Sequence, residues 1–118
     1  TFIGGAILPG IKMSAQALAE HTAQLPQIDL TQKPAGVIGT NTVQNVQSGL
    51  IIGTACTIDG MIGQFRAELG EELTCVATGD ISDVVLSHCS NKIIYDENLV
   101  LEGLKKIYLK NVILFFVF

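Results

Sequence analysis

Tryptophan is absent from this sequence, proline occurs only three times, and Lys and Arg together number seven, never more than two in a row. A protein that holds DNA or RNA by neutralising phosphates carries basic clusters, so direct nucleic-acid binding is disfavoured. The longest unbroken apolar run is Val112 to Phe118, seven residues against the roughly 20 that cross a bilayer, so a membrane-spanning reading fails. No secretory signal pattern is visible at the start. Cysteine is also sparse. Cys56, Cys75 and Cys89 are odd in number and widely spaced, which excludes a zinc knuckle or a redox dithiol. Apolar neighbours around Cys56 and Cys75 predict buried, reduced thiols and a reducing, cytoplasmic setting.

What is present fits one folded domain. The 118 residues are 48% hydrophobic and 15% charged with a net charge of −4, unlike a disordered tail. The chain opens Thr1-Phe2-Ile3-Gly4-Gly5, without an initiator Met or a polar lead-in, and reads as a fragment or a split product.

Residues 1 to 8 read as a short buried strand ending at the Pro9-Gly10 turn. Ile11, Ala15, Leu18, Thr22 and Leu25 recur at helical spacing, and Pro26 predicts the stop. Residues 26–40 read as an extended surface connection. Asn41 is a helix cap, followed by the stripe Ile51, Ala55, Ile58, Ile62, Phe65 and Leu69. Gly49, Gly53, Gly60 and Gly63 interrupt that helix at about 1 kcal/mol each relative to Ala. Four such costs predict close packing of a neighbouring helix or a partner subunit. Leu73 to Ala77 reads as a buried parallel strand, followed by a short helix with Ile81, Val84, Val85 and His88 on one side. A brief strand at Ile93 to Tyr95 follows. A last helix opens at Asn98, with Leu101, Leu104 and Tyr108 on one face and Val100 and Ile107 beside it. Strands alternating with helices predict an α/β fold with a mostly parallel sheet and flanking helices.

Catalytic signals are thin. His21 and His88 have no carboxylate or nucleophile at dyad or triad spacing and read as structural or solvated. Glu71-Glu72 reads as a solvated turn, and Asp96 with Glu97 suits the positive end of the last helix. The glycines at strand ends, Gly4-Gly5 and Gly79, are more suggestive. Loops beyond the carboxyl ends of strands in open α/β sheets are where phosphates and nucleotides bind.

Five ordered segments carry a family resemblance. Gly4 to Ile11, Gly-Gly-Ala-Ile-Leu-Pro-Gly-Ile, resembles the Gly-Gly-x-Ile-x-Pro-Gly signature of type III pantothenate kinases. Ala17-Leu18 through Ala23-Gln24-Leu25-Pro26 is similar to that family's Ala-Leu…Ala-x-Leu-Pro stretch. Val37 to Val43 followed by Gln47-Ser48-Gly49 resembles its Ile-Gly-x-Asn-Thr-Val…Gln-Ser-Gly element, and Val76-Ala77-Thr78-Gly79 its Ile-Ala-Thr-Gly-Gly loop. Leu99 to Leu104 with Ile107-Tyr108 and Asn111 is similar to its closing segment.

The resemblance implies an incomplete ribonuclease H-like, actin-like ATPase lobe. Residues 1–111 would be the second, C-terminal lobe of a kinase that moves the γ-phosphoryl of ATP to pantothenate in coenzyme A biosynthesis. It implies Mg2+ with ATP, a monovalent cation (K+ or NH4+), and a homodimer. Gly5, Thr78 and Gly79 would bind nucleotide, and Thr42 would bind pantothenate. Thr42 also lies in the first turn of a long helix, where free N–H groups favour a carboxylate; the alternative is that it only helps to cap the helix. No catalytic residue and no metal ligand is assigned within the chain. The family's catalytic Asp and both phosphate loops have no match in these residues, so the chain alone is expected to be inactive. Gly53 to Asp59 spells much of the second phosphate hairpin, but the helical stripe runs through it, and it reads as helix. Asp80 stands where the family's loop has a second glycine, bringing like charge toward a nucleotide. Residues 112–118 have no family counterpart and read as an extra strand, a partner-facing patch, or a frameshift product. Two further readings are a regulatory accessory factor of the same family and a degenerate remnant.

Overall fold

A computed structural model describes residues 2–22, 25–70, 72–81 and 83–115, with side chains to Lys110. The elements are α1 (Ile11–His21), α2 (Thr42–Leu69), β1 (Cys75–Ala77), α3 (Asp83–Leu86), β2 (Ile93–Tyr95) and α4 (Leu99–Phe115). β1 and β2 pair in parallel, with Cys75 opposite Ile93, Val76 opposite Ile94 and Ala77 opposite Tyr95. The architecture is α/β, with a small parallel sheet and helices around it.

Helix α2 is the spine, and its limits follow from its ends. Asn41 Oδ1 accepts the Gln44 N–H at 3.0 Å, satisfying one of the first-turn donors. Gly70 closes the other end with φ +67°, a left-handed conformation that glycine adopts without a Cβ clash, and donates its N–H to Arg66 O at 2.9 Å. The middle of the stripe is the core: Leu50, Ile51 and Ala55 are buried against Ile11 of α1 and Val85 of α3. Toward the C-terminus the stripe leaves the core, and Phe65 and Leu69 are exposed.

The connection into α2 is held rather than loose. Asp29 Oδ1 accepts from both the backbone N–H and the hydroxyl of Thr31, making a local turn that lowers the Asp29 carboxyl pKa. Ser48 donates to Val37 O at 2.6 Å and Gln47 to Gln32 O at 3.2 Å, so two buried polar side chains of α2 fasten residues 32–37. Gly39 must be glycine: a Cβ there would overlap the backbone N and side chain of Asn45.

Several expectations need correction. Residues 2–8 are neither strand nor buried, and Phe2, Ile3 and Ile7 are 89%, 75% and 102% exposed. A strand needs a neighbour for its backbone groups, and the described sheet holds only β1 and β2. Helix α1 ends at His21 instead of continuing to Leu25, because Thr22 turns extended and its hydroxyl bonds back to Leu18 O. β1 is shorter than expected and not fully buried; Val76, on a sheet of two strands, is half exposed. Cys56 is exposed, with Cys75 and Cys89 intermediate, so no buried thiol set exists. The apolar face of α4 is uncovered, with Leu101, Leu104 and Tyr108 all more than half exposed. Residues 112–115 continue α4 rather than forming an extra strand. Residues 116–118 lie outside the described residues, as do Ala23 and Gln24 of the second resembling segment. Among the described residues no helix is long and apolar enough to cross a membrane.

Candidate functional site

Parallel pairing sets the carboxyl ends of β1 and β2 at the same edge of the sheet, the position where open α/β folds form ligand crevices. β1 leaves the sheet through Thr78-Gly79-Asp80. Gly79 has φ +87°, a turn that an L side chain would strain. Tyr95, the last residue of β2, pins the turn by donating its hydroxyl to Gly79 O at 2.7 Å. Thr78 Oγ1 is buried and has no hydrogen-bond partner among the described residues. Beyond the strand ends lies a cleft of about 660 Å³, lined by Asp80, Ile81, Asp83, Tyr95 and Glu97 on the sheet side and by Ile11, Lys12, Leu30 and Thr31 opposite.

Across this cleft Lys12 Nζ meets Asp80 Oδ2 at 2.8 Å. The Lys12 ammonium beside it holds the Asp80 carboxyl below its ordinary pKa, first through the hydrogen bond and then through charge. A second cleft of about 290 Å³ adjoins, where Pro9, Gly10, Ile11 and Lys12 face Thr54, Asp80 and Ile81. The Pro-Gly end of the first resembling segment therefore shares this cleft with Asp80, the residue after the Thr78-Gly79 pair.

The anticipated site residues separate into groups. Thr78 and Gly79 form the turn that leads into Asp80; Asp80 lines both clefts, while Thr78 and Gly79 line neither. Gly5 lies in the exposed segment before Pro9 and lines neither cleft. Thr42 is exposed in the first turn of α2, also outside both clefts, with Asn41 making the cap. Thr40 adds its N–H and hydroxyl to Gln44 Oε1 at 2.9 and 2.8 Å, so capping of α2 is already served by Thr40 and Asn41.

The stretch Gly53 to Asp59 is helical, as its stripe implied, and Asp59 has a structural task. Its carboxylate accepts Ser90 N at 2.6 Å, Asn91 N at 3.0 Å and Asn91 Nδ2 at 2.7 Å. Arg66 Nη1 donates to Asn91 Oδ1 at 2.5 Å, so α2 clamps the loop between α3 and β2 at two points. The Ser90 N–H, then the Asn91 side chain, hold the Asp59 carboxyl below its ordinary pKa. Sequence reasoning missed this clamp and the Lys12–Asp80 pair, since partners 31 and 68 residues apart leave no local pattern. His88 Nδ1 lies 2.8 Å from Val84 O; a carbonyl only accepts, so this nitrogen carries the proton in a local helix contact. His21 is exposed. Burial, with smaller contributions from Asp59 and Cys56, pushes the Cys89 thiol pKa up. No group of three or more His, Cys, Asp or Glu among the described residues could hold a metal ion.

The sequence profile described as type III pantothenate kinase matches residues 1–64. A type III pantothenate kinase of Rubrobacter xylanophilus is 43% identical over 113 residues, covering 92% of this chain and 43% of the relative. One from Frankia alni is 40% identical over 111 residues, covering 94% of this chain and 44% of the relative. One from Acidobacterium capsulatum is 42% identical over 107 residues, covering 91% and 39%. The chain thus spans about two fifths of the length of these curated relatives. With more than half of its residues inside the profile, this chain belongs to the type III pantothenate kinase family.

Proposed function

We propose that this chain forms the second lobe of a cytoplasmic kinase that transfers the γ-phosphoryl of ATP to the primary hydroxyl of pantothenate, feeding coenzyme A synthesis. The observation that carries the reading is identity of 40–43% to pantothenate kinases over more than 90% of the chain. On this reading the lobe has the actin-like, ribonuclease H-like fold. The crevice past Thr78-Gly79 takes the nucleotide, Gly5 approaches it on the completed site, and the first turn of α2 offers Thr42 to the pantothenate carboxylate. Phosphoryl transfer depends on positioning and charge neutralisation. The Asp that accepts the hydroxyl proton and the phosphate loops belong to the rest of the kinase. On this reading the Mg2+ and monovalent-cation sites lie mostly on the other half of the kinase.

The test is ATP-dependent phosphorylation of pantothenate by the complete protein. Thr42→Val removes the hydroxyl and keeps the shape. It should weaken pantothenate binding by about 1–2 kcal/mol while the ATP KM and the melting temperature stay in place. A lowered melting temperature with an unchanged pantothenate KM would return Thr42 to a purely structural role. The 118 residues alone should show no turnover; activity from them, abolished by a substitution within them, would refute the assignment of chemistry to the other lobe.

The homodimer contact is placed on the glycine face of α2. A Cβ at Gly49, Gly53, Gly60 or Gly63 would meet nothing within 4 Å, so among the described residues no element uses the close approach those glycines permit. Sedimentation of the complete protein should give a dimer, and leucine at Gly60 should shift it toward monomer. A strictly monomeric species at high concentration would end this part of the reading.

A further inference from the structure

Position 80 carries a charge where the family's loop has glycine, and the cleft around it is already acidic. Asp80, Asp83 and Glu97 line it, and Lys12 is the single base among its described lining residues. A polyphosphate entering such a cleft meets repulsion, and each carboxylate that is cancelled lowers it. Lys12 is placed to do this, 2.8 Å from Asp80 and joining the first turn of α1 to the turn after β1. The two side chains are 68% and 87% exposed, and an ion pair that open contributes little to folding. Lys12 and Asp80 also line both adjoining clefts, so the charge they expose acts on whatever occupies either.

We infer that Lys12 tunes the cleft for a nucleoside triphosphate: it neutralises Asp80 and so lowers the repulsion that the phosphates meet there. The inference rests on the nucleotide reading of the cleft proposed above. Removing Lys12 leaves three carboxylates around the cleft and no cation. Removing Asp80 frees the Lys12 ammonium to face phosphate. The two single substitutions thus push affinity in opposite directions, and together they cancel. A pair that only braced α1 against the turn would behave differently, because losing either partner would shift the melting temperature and affinity the same way.

The probe is MgATP, titrated by calorimetry into the complete protein at low and at physiological salt. Lys12→Met should weaken binding by roughly three- to tenfold at low salt, with the loss shrinking as salt is added. Asp80→Gly should tighten it by a similar factor, and the double variant should return close to wild type. A carbon-detected NMR titration of the Asp80 carboxyl should show its pKa rising toward the ordinary value in Lys12→Met. Single variants that change affinity with the same sign, or not at all, while wild type binds MgATP overturn the inference and leave the nucleotide reading standing. An Asp80 titration indifferent to Lys12 does the same. Wild type that binds no MgATP refutes the nucleotide reading, and the inference with it.

Discussion

Ile51→Ala should lower the unfolding free energy by about 3 kcal/mol, the cost of lost transfer energy plus a cavity that the surroundings only partly fill. Ile51 is 0% exposed, in the middle of α2, where α1 and α3 close over it through Ile11 and Val85. The described core holds only five buried apolar residues, so little else compensates. A domain of this size has a net stability of about 5–15 kcal/mol, and one such loss is a large share of it. Urea unfolding followed by circular dichroism should show a much lower midpoint for Ile51→Ala. The shift for Ile51→Val should be about a third as large, since one methylene is removed. Ile7→Ala provides the contrast: Ile7 is 102% exposed and its truncation should leave the midpoint in place. Equal midpoints for Ile51→Ala and wild type would mean that the packing of α1 and α3 on α2 is not what holds the chain together.

That contrast also marks which parts of the fold the sequence discloses. Helix α2 is legible because its signals are local: a capping Asn41, a four-three stripe, and Gly70 at the point where the stripe ends. The Thr78-Gly79 turn and β2 are legible for the same reason, each set by a few adjacent residues. The segment 2–8 misleads because its apolar residues report that burial is favourable, without saying what would cover them. Its strand character depends on backbone partners that β1 and β2 do not supply. The apolar face of α4 has the same ambiguity. Periodicity finds the face, while its cover lies with other surfaces. The exposed Cys56 shows the limit from the other side, since apolar sequence neighbours on a helix point in directions 100° apart and need not share its burial.

The candidate site divides along the same line. Thr78, Gly79 and the helix start at Thr42 stand in short segments that a local reading singles out. Lys12 and Asp59 do their work through partners from distant parts of the chain. Asp59 illustrates the cost of reading locally, because its seven-residue neighbourhood spells much of a phosphate hairpin while its carboxylate is spent on the loop at Ser90 and Asn91.

Asp59→Ala should therefore destabilise the chain by about 2 kcal/mol, because two backbone N–H groups and the Asn91 amide lose a charged acceptor together. The loss should be felt at the α3–β2 loop, where Arg66 would keep Asn91 as a partner but no longer in a fixed orientation. Asp59→Asn separates charge from shape. It retains one oxygen acceptor and presents an NH2 to a second donor, so its loss should fall between wild type and alanine. Acid provides a second measurement of the same group. The folded-state pKa of Asp59 lies below the ordinary carboxylate value, meaning that the fold favours the ionised form. Its contribution is then complete above the unfolded pKa, and it is lost as pH falls below about 4 toward the folded value. Asp29 and Asp80 are shifted in the same direction, so wild-type acid sensitivity alone does not isolate Asp59. The difference between wild type and Asp59→Asn does. Their stability gap should be widest near neutral pH and narrow on acidification, as the wild-type carboxylate takes up the proton that removes its charge. A gap that stays constant from neutral pH to pH 3 would show that the clamp works by shape alone and that its negative charge contributes nothing to holding the loop.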